Sequence, residues 1–403
     1  MTADMRNYFV VTGGYWAFTL TDGAIRMLVV LYFHLLGYSP FEVAMLFLFY
    51  EFFGIVTNLV GGWLASRLGL NVTMHLGMGL QVIALGLLTV PEAWLSVPYV
   101  MMAQAMSGIA KDLNKMSAKA SVKSLVPSDA DARLFKWVAL LTGSKNALKG
   151  VGFFLGALLL QVFGFQNALL VLATGLSLVL LTTYMMLPKQ LGKSKTKSTF
   201  TQVFSNNAAI NWLSAARFFL FGARDVWFVV AVPVFLYEVL EWSFTQVGTF
   251  MALWVIGYGF VQASAPKLLG MQAHAPTART AQFWAMVLCI IPGGIALGLM
   301  FNFDPEVILI AGLFVFGIVF AINSAIHSYL ILAYSDHDKV ALKVGFYYMA
   351  NAGGRLLGTV LSGLVYQQYG LEGCLWFSSA FVLLALVLSL PLSGWKNGAS
   401  SPS

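Results

Sequence analysis

Charged side chains are scarce in this sequence. Asp, Glu, Lys and Arg make up 10% of its 403 residues, where a water-soluble chain carries about 25%. With 59% hydrophobic residues and a mean hydropathy of +0.80, that shortage excludes a soluble globular domain. Cysteine is nearly absent. Cys289 and Cys374 both lie in apolar runs, which excludes a disulfide framework and marks them as small core residues. No Gly-x-x-x-x-Gly-Lys-Ser/Thr loop occurs, and no connection is long enough for a nucleotide-binding domain, so ATP is not the direct energy source. There is no His/Cys/Asp cluster at metal-ligand spacing, so neither a metal nor any other cofactor is expected. The ten-residue alternation of a membrane barrel is missing too.

What the sequence does have is apolar runs of about 20 residues and more, bounded by Gly, Pro and charge. They predict an all-α integral membrane protein with twelve transmembrane helices in two six-helix bundles. The spans lie near 8–36, 41–65, 72–91, 97–122, 134–163, 166–187, 210–237, 244–266, 280–301, 305–333, 341–369 and 372–392. The expected organisation is a first bundle over 1–188, a Lys/Ser/Thr-rich cytoplasmic linker over 189–209 with a short surface helix at FTQVF, a second bundle over 210–395 and a disordered cytoplasmic tail over 396–403. The N-terminal apolar run contains Asp22 and Arg26 and reads as a retained first span.

Loop charge orients the chain. Alternate connections carry Glu42, Glu92, Glu238, Glu241, Asp304, Glu306 and Glu372 but no Lys or Arg. The opposite ends hold Arg6, Arg67, Lys123, Arg133, Lys136, the linker lysines, Lys267, Arg279, Lys339, Lys343 and Lys396. By the positive-inside rule both termini are cytoplasmic. The linker lysines are explained by that rule, and no nucleic-acid partner is expected.

The halves look like copies of one unit. NALKGVGFFLGALLLQVFG parallels AGGRLLGTVLSGLVYQQYG, which sets Lys149 against Arg355 and Gly152 against Gly358; GIAKDLN parallels GIVFAIN, which sets Asn114 against Asn323. A six-span unit repeated in one orientation implies two bundles about a central cavity.

Nine of the 23 Lys and Arg fall within spans: Arg26, Lys111, Lys115, Lys119, Lys145, Lys149, Arg217, Arg224 and Arg355. Four acids accompany them, Asp22, Glu51, Asp112 and Asp225, and nine against four leaves a formal excess of five positive charges. Each such cation costs about 2.5–3.5 kcal/mol at a helix centre on the insertion scale, so a mere scaffold would not keep them. Residues four apart share a helix face. Lys111, Lys115 and Lys119 therefore form one stripe, and Lys145 and Lys149 a second. The reading is a track for negative charge, with Arg26, Lys111, Lys115, Lys145, Lys149, Arg217, Arg224, Arg355 and Asn114 as candidate anion-binding residues. Asp22, Glu51, Asp112 and Asp225 are candidates for proton coupling.

Alternatives stand beside several of these. Lys119 either joins the track or snorkels to the interface, as Lys123 does. Asp22 with Arg26, one turn apart, forms a local ion pair or serves the track, and so does Arg224 with Asp225. Glu51 reads as an isolated carboxylate among aromatics, a proton carrier or a partner for an arginine. His34 and His327 are packing residues or relays. The glycine runs at Gly150, Gly152 and Gly156, and at Gly353, Gly354 and Gly358, read as close helix contacts. Most Trp are expected in interfacial belts, while Tyr15, Trp16, Tyr32, Tyr347 and Tyr348 are candidate cavity linings.

Two six-span halves, a long central link and GGWLASRLG between spans two and three resemble the major facilitator superfamily. Gly62, Arg67 and Gly69 match its loop motif, whereas Ser66 stands in place of the Asp and Leu70-Asn71 in place of the basic pair. TGGYWAFTLTDGAIRMLVVLYFH, KDLNKMSAKASVK, LTGSKNALKGVGFFLG and SAARFFLFGARDVWFVV are similar to the ArsJ-type organoarsenical efflux permeases, and the likeness runs over nearly the whole chain. The resemblance implies a cavity lined by spans one, four, seven and ten, a monomer in a bacterial inner membrane, and export of 1-arseno-3-phosphoglycerate. That compound forms when glyceraldehyde-3-phosphate dehydrogenase accepts arsenate, so the dehydrogenase is the implied functional partner. Export rather than uptake comes from the resemblance alone. The same fold also suits an organophosphate or general organic-anion exchanger. A membrane-embedded phosphoryl-transfer enzyme would need clustered acids or histidines, and the sequence has only scattered ones.

Overall fold

A computed structural model describes residues 3–38, 46–125, 131–187, 207–242, 244–270, 275–335 and 340–394. Most of the expected linker (189–206), including FTQVF, and the tail (396–403) lie outside the described residues, as do the side chains of His34 and Lys123. Among the described residues the regular elements are all helical: α1 Ala3–Leu35, α2 Leu48–Leu68, α3 Leu70–Leu87, α4 Val97–Leu125, α5 Asp131–Met186, α6 Ala208–Phe228, α7 Ala231–Glu238, α8 Phe244–Leu268, α9 Ala278–Met300, α10 Pro305–Ala333 and α11 Val340–Ser389. Short 3-10 turns stand at Glu92–Trp94 and Leu390–Gly394.

These helices are compatible with twelve spans. At 1.5 Å per residue, α5 and α11 would each reach about 75–85 Å, more than twice a hydrocarbon core of about 30 Å. Each is broken by one glycine, Gly164 (φ 72°, ψ 175°) and Gly370 (φ 63°, ψ −164°), so each supplies two spans. Span seven is α6 followed by α7. At the break between them, Ser362 Oγ accepts from the amides of Val230 (3.3 Å) and Ala231 (3.2 Å), as a break at membrane depth requires. Eight helices among the described residues are long and apolar enough to cross a bilayer. Neither α4, whose lysines and Asp112 lower its hydropathy, nor α8 is among them; with those two added, and α5 and α11 counted twice, the total is twelve. Between α2 and α3 the chain passes through Gly69 alone, at φ 99°, while Arg67 stacks on Trp63 at 4.8 Å.

The described residues form two compact units. One takes those within Met1–Asp129, Ser144–Ser205 and Asp336–Met349, the other those within Ala130–Gly143, Asn206–Ser335 and Ala350–Ser403. The first turns of α5 thus belong with the second unit and those of α11 with the first. In the first unit α4 packs on α1, α2 and α3, over a core that includes Ile25, Leu28, Phe33, Tyr50 and Leu85. In the second, α10 packs on α8 and α9, over a core of Leu220, Trp227, Trp254, Phe316 and Phe320. Trp227 and Trp254 are therefore core residues and not the expected belt; Trp227 is 1% exposed.

Glycine contacts set the helix crossings that carry charge. A side chain at Gly23 would come within 2.6 Å of the Lys149 carbonyl oxygen, and one at Gly152 within 2.6 Å of the Leu20 carbonyl oxygen, so α1 and α5 meet backbone to backbone. In the other unit a side chain at Gly358 would come within 2.7 Å of the Gly222 carbonyl oxygen, and one at Gly354 would run into that of Phe218. The parallel between Gly152 and Gly358 read from the sequence is a parallel in packing.

Candidate functional site

The α1–α5 crossing brings Asp22 beside Lys149, whose ammonium lies 3.1 Å from Asp22 Oδ2. Tyr50, from α2, donates its hydroxyl to Asp22 Oδ1 at 2.6 Å. The local pairing of Asp22 with Arg26 is not formed. Arg26 lies 3.9 Å from Glu51 Oε1 and over the rings of Phe47 (5.0 Å) and Tyr50 (5.5 Å). Both side chains found better partners on other helices than on the next turn of their own.

The lysine stripe of α4 is present and each member has its own surroundings. Lys111 lies 3.8 Å from Glu51 Oε2, 3.8 Å from Asp112 Oδ2 and 3.8 Å from the centre of the Tyr50 ring. Lys115 donates to Asp112 Oδ1 and lies 4.3 Å from the Tyr348 ring centre. Lys119 does not snorkel. It is 2% exposed, donates to the Tyr348 hydroxyl and lies 5.0 Å from that ring. Glu51 is not isolated either, since it serves both Arg26 and Lys111. Lys145 donates to Asn146 Oδ1 at 3.1 Å, and near it Trp16 Nε1 donates to Ser144 Oγ at 2.8 Å. Asn114 stands apart from the cations: its Nδ2 donates to the Ala110 carbonyl, and the side chain packs in the space left by Gly77 of α3.

The second unit repeats the scheme with guanidinium groups. Arg224 donates to Asp225 Oδ1 at 2.6 Å, and Arg355 donates to Asp225 Oδ2 at 3.0 Å. The adjacent pair read from the sequence is formed, and it is shared with Arg355. Arg217 donates from Nε to Asn351 Oδ1 at 2.9 Å and from Nη1 to Ser324 Oγ at 3.3 Å, and Gln262 also donates to that Ser324 hydroxyl. Phe221 lies between two cations, 3.8 Å from Arg217 and 5.2 Å from Arg224. His327 is buried, and its Nδ1 has no hydrogen-bond partner among the described residues.

Six cations thus lie near four carboxylates, and Glu51, Asp112 and Asp225 each serve two. Aromatic faces supply much of the rest, each worth about 0.5–1 kcal/mol exposed and about 2 when desolvated. Tyr50, Phe221, Ser324 and Asn351 are the residues that sequence reasoning missed. Tyr50 had one signal, its place next to Glu51 in an aromatic run. Lys343, counted with the cytoplasmic basic ends, is buried, at 4% exposure. Tyr32 does not join the cations; it donates to Glu92 at 3.1 Å and stacks on Phe165. No group of three His, Cys, Asp or Glu side chains among the described residues is placed to hold a metal ion.

The family profile described as Major Facilitator Superfamily matches residues 11–277 and 277–399. The chain belongs to this superfamily. Among solved structures, the human organic anion transporter MFSD10 (TETRAN) is similar at TM-score 0.76 and 15% identity, covering 96% of this chain and 100% of that one. A bacterial homologue of the iron transporter ferroportin, in its outward-facing state, is similar at TM-score 0.76 and 14% identity, with 98% and 100% covered. The E. coli fucose:proton symporter FucP reaches TM-score 0.73 at 11% identity, with 96% and 98% covered. At these identities the likeness is one of fold. No curated protein matches the sequence. Superfamily membership makes the chain a multi-pass membrane transporter and not an enzyme, with secondary transport of a small substrate as its class of activity.

Proposed function

We propose that this transporter exports a multiply charged organic anion, 1-arseno-3-phosphoglycerate, and so confers arsenate resistance. The observation that carries the reading is the sharing of acids: six of the nine cations within the spans lie near just four carboxylates, three of which are divided between two cations each. Cations left under-compensated at membrane depth are stabilised by an anionic cargo. A cargo with a phosphate ester at one end and an acyl arsenate at the other suits two separated cationic stripes, Lys111 and Lys115 on one helix and Lys145 and Lys149 on another.

Transport proceeds by alternating access, driven by an ion gradient or by the cargo's own gradient, with Asp22, Glu51, Asp112 and Asp225 as the carboxylates available to cycle protons. The chain acts as a monomer in a bacterial inner membrane with both termini cytoplasmic, and its cargo is supplied by glyceraldehyde-3-phosphate dehydrogenase working on arsenate. The similarity of KDLNKMSAKASVK and LTGSKNALKGVGFFLG to the ArsJ-type permeases supports the choice of cargo.

The test is arsenate resistance in an arsenate-sensitive bacterium expressing the chain. Lys111→Gln and Lys149→Gln are each expected to abolish resistance at unchanged protein level. Wild-type resistance in both variants would overturn the reading. Vesicle flux with glycerol 3-phosphate against the arsenate adduct separates the arsenical exporter from an organophosphate exchanger.

A further inference from the structure

Of the cations within the spans of the first unit, Lys111 and Arg26 differ from the rest in how they are held. Neither donates a hydrogen bond to a described residue. Lys111 has two carboxylate oxygens at 3.8 Å and Arg26 has one at 3.9 Å, beyond hydrogen-bond length. Both cations lie over the face of Tyr50, at 3.8 Å for Lys111 and 5.5 Å for Arg26, and Arg26 also lies over Phe47 at 5.0 Å. Lys149, by contrast, sits on Asp22 at 3.1 Å, and Lys115 and Lys119 donate to Asp112 and Tyr348.

The ring is placed with care. Tyr50 is 2% exposed, and its hydroxyl is tied to Asp22 at 2.6 Å, which fixes the direction its face points. One turn before Lys111, Gly108 lies flat on the Tyr50 backbone; a side chain there would come within 2.9 Å of the Tyr50 Cα. That approach sets the height of the ammonium above the ring. A cation over a π face that makes no hydrogen bond still has N–H groups to offer an acceptor, whereas one bound to a carboxylate has spent at least one of them. A hydroxyl that donates to a carboxylate also makes its ring more electron-rich and the seat stronger.

We propose that Tyr50 is a positioning residue that seats Lys111 and Arg26 on its ring, leaving these two as the hydrogen-bond donors that meet an oxyanion first. The oxyanion's identity as transported cargo rests on the anion-carrier reading; the seating of Lys111 does not.

The experiment replaces Tyr50 by Phe and then by fluorinated phenylalanines of increasing fluorine count, which keep the shape while draining the π face. Two readouts are followed on the purified full-length protein: the rate of amine labelling of Lys111 by mass spectrometry, and the protection of Lys111 by glycerol 3-phosphate or inorganic phosphate. Lys111 labelling should rise stepwise along the series, by about fivefold from Phe to the most fluorinated ring, while Lys149 labelling stays constant as an internal control. A purely structural role for Tyr50 would leave Lys111 flat across isosteric rings, and that result overturns the proposal. Protection of Lys111 by either phosphate probe, weakening along the same series, supports it fully. If labelling follows fluorination and neither probe protects, the seat stands and the anion-carrier reading falls.

Discussion

Replacing Asp225 by Asn takes away the carboxylate on which Arg224 and Arg355 converge, at nearly constant volume. Asp225 is fully buried, with the two guanidinium groups at 2.6 and 3.0 Å. Breaking a buried pair by removing one partner costs about 3–5 kcal/mol, and here two cations lose it together. One effect relieves the loss: the amide oxygen of the new side chain accepts one hydrogen bond from a guanidinium group, worth about 1 kcal/mol. The rings of Phe221 and Phe228, 5.2 and 5.5 Å from Arg224, are there before and after the change and do not alter the difference. The expected net destabilisation is about 2–4 kcal/mol. Unfolding of purified protein by SDS titration in mixed micelles reads this directly, with Arg355→Gln and the double variant completing a cycle. The double variant removes one acid and one cation and should recover about 2 kcal/mol relative to the sum of the singles. Asp225→Asn within about 0.5 kcal/mol of wild type, or strict additivity in the cycle, would refute charge compensation as the role of this carboxylate.

Two stability outcomes follow from the glycines and from Tyr348. Gly354→Ala places a methyl group against the Phe218 carbonyl and is expected to abolish the monodisperse folded species in detergent. Gly257→Ala meets nothing within 4 Å and should be neutral or raise stability by up to about 1 kcal/mol through helix propensity; equal behaviour of the two in size-exclusion and thermal melts would contradict the crossing argument. Tyr348→Phe keeps a ring for Lys115 but strips buried Lys119 of its hydroxyl acceptor. That change is expected to cost about 1–3 kcal/mol, measured by thermal denaturation, with Lys119→Met in the same background restoring most of it.

Helix class, span count and the duplication were legible because they rest on periodicity and composition along the chain. The register of the repeat was legible too: Lys149 and Arg355 each stand three residues before the glycine of a backbone-to-backbone crossing, and each meets an aspartate there. What spacing does not carry is which helix faces which. Asp22 and Arg26 share a face, yet Asp22 bonds to Lys149 and Arg26 turns to Glu51, because the α1–α5 contact brings a stronger partner than the next turn offers. Lys119 looked like an interfacial lysine by position along α4 and is buried because the first turns of α11 supply Tyr348 within the same unit. The aromatic richness was visible, but its use as a lining for cations was not, since a ring's partner depends on packing and leaves no pattern in the chain.

The breaks at Gly164 and Gly370 reach beyond the helix count. At both places the polypeptide changes course on a lone residue whose backbone angles are essentially closed to any amino acid with a side chain. There is accordingly no slack between the paired segments: nothing for a protease to grip, no room for an epitope tag, and no insertion that would leave the departure angle of the following segment unchanged. Antibody or crosslinking handles belong elsewhere on the molecule, and a library of random insertions should return blank windows at these two points.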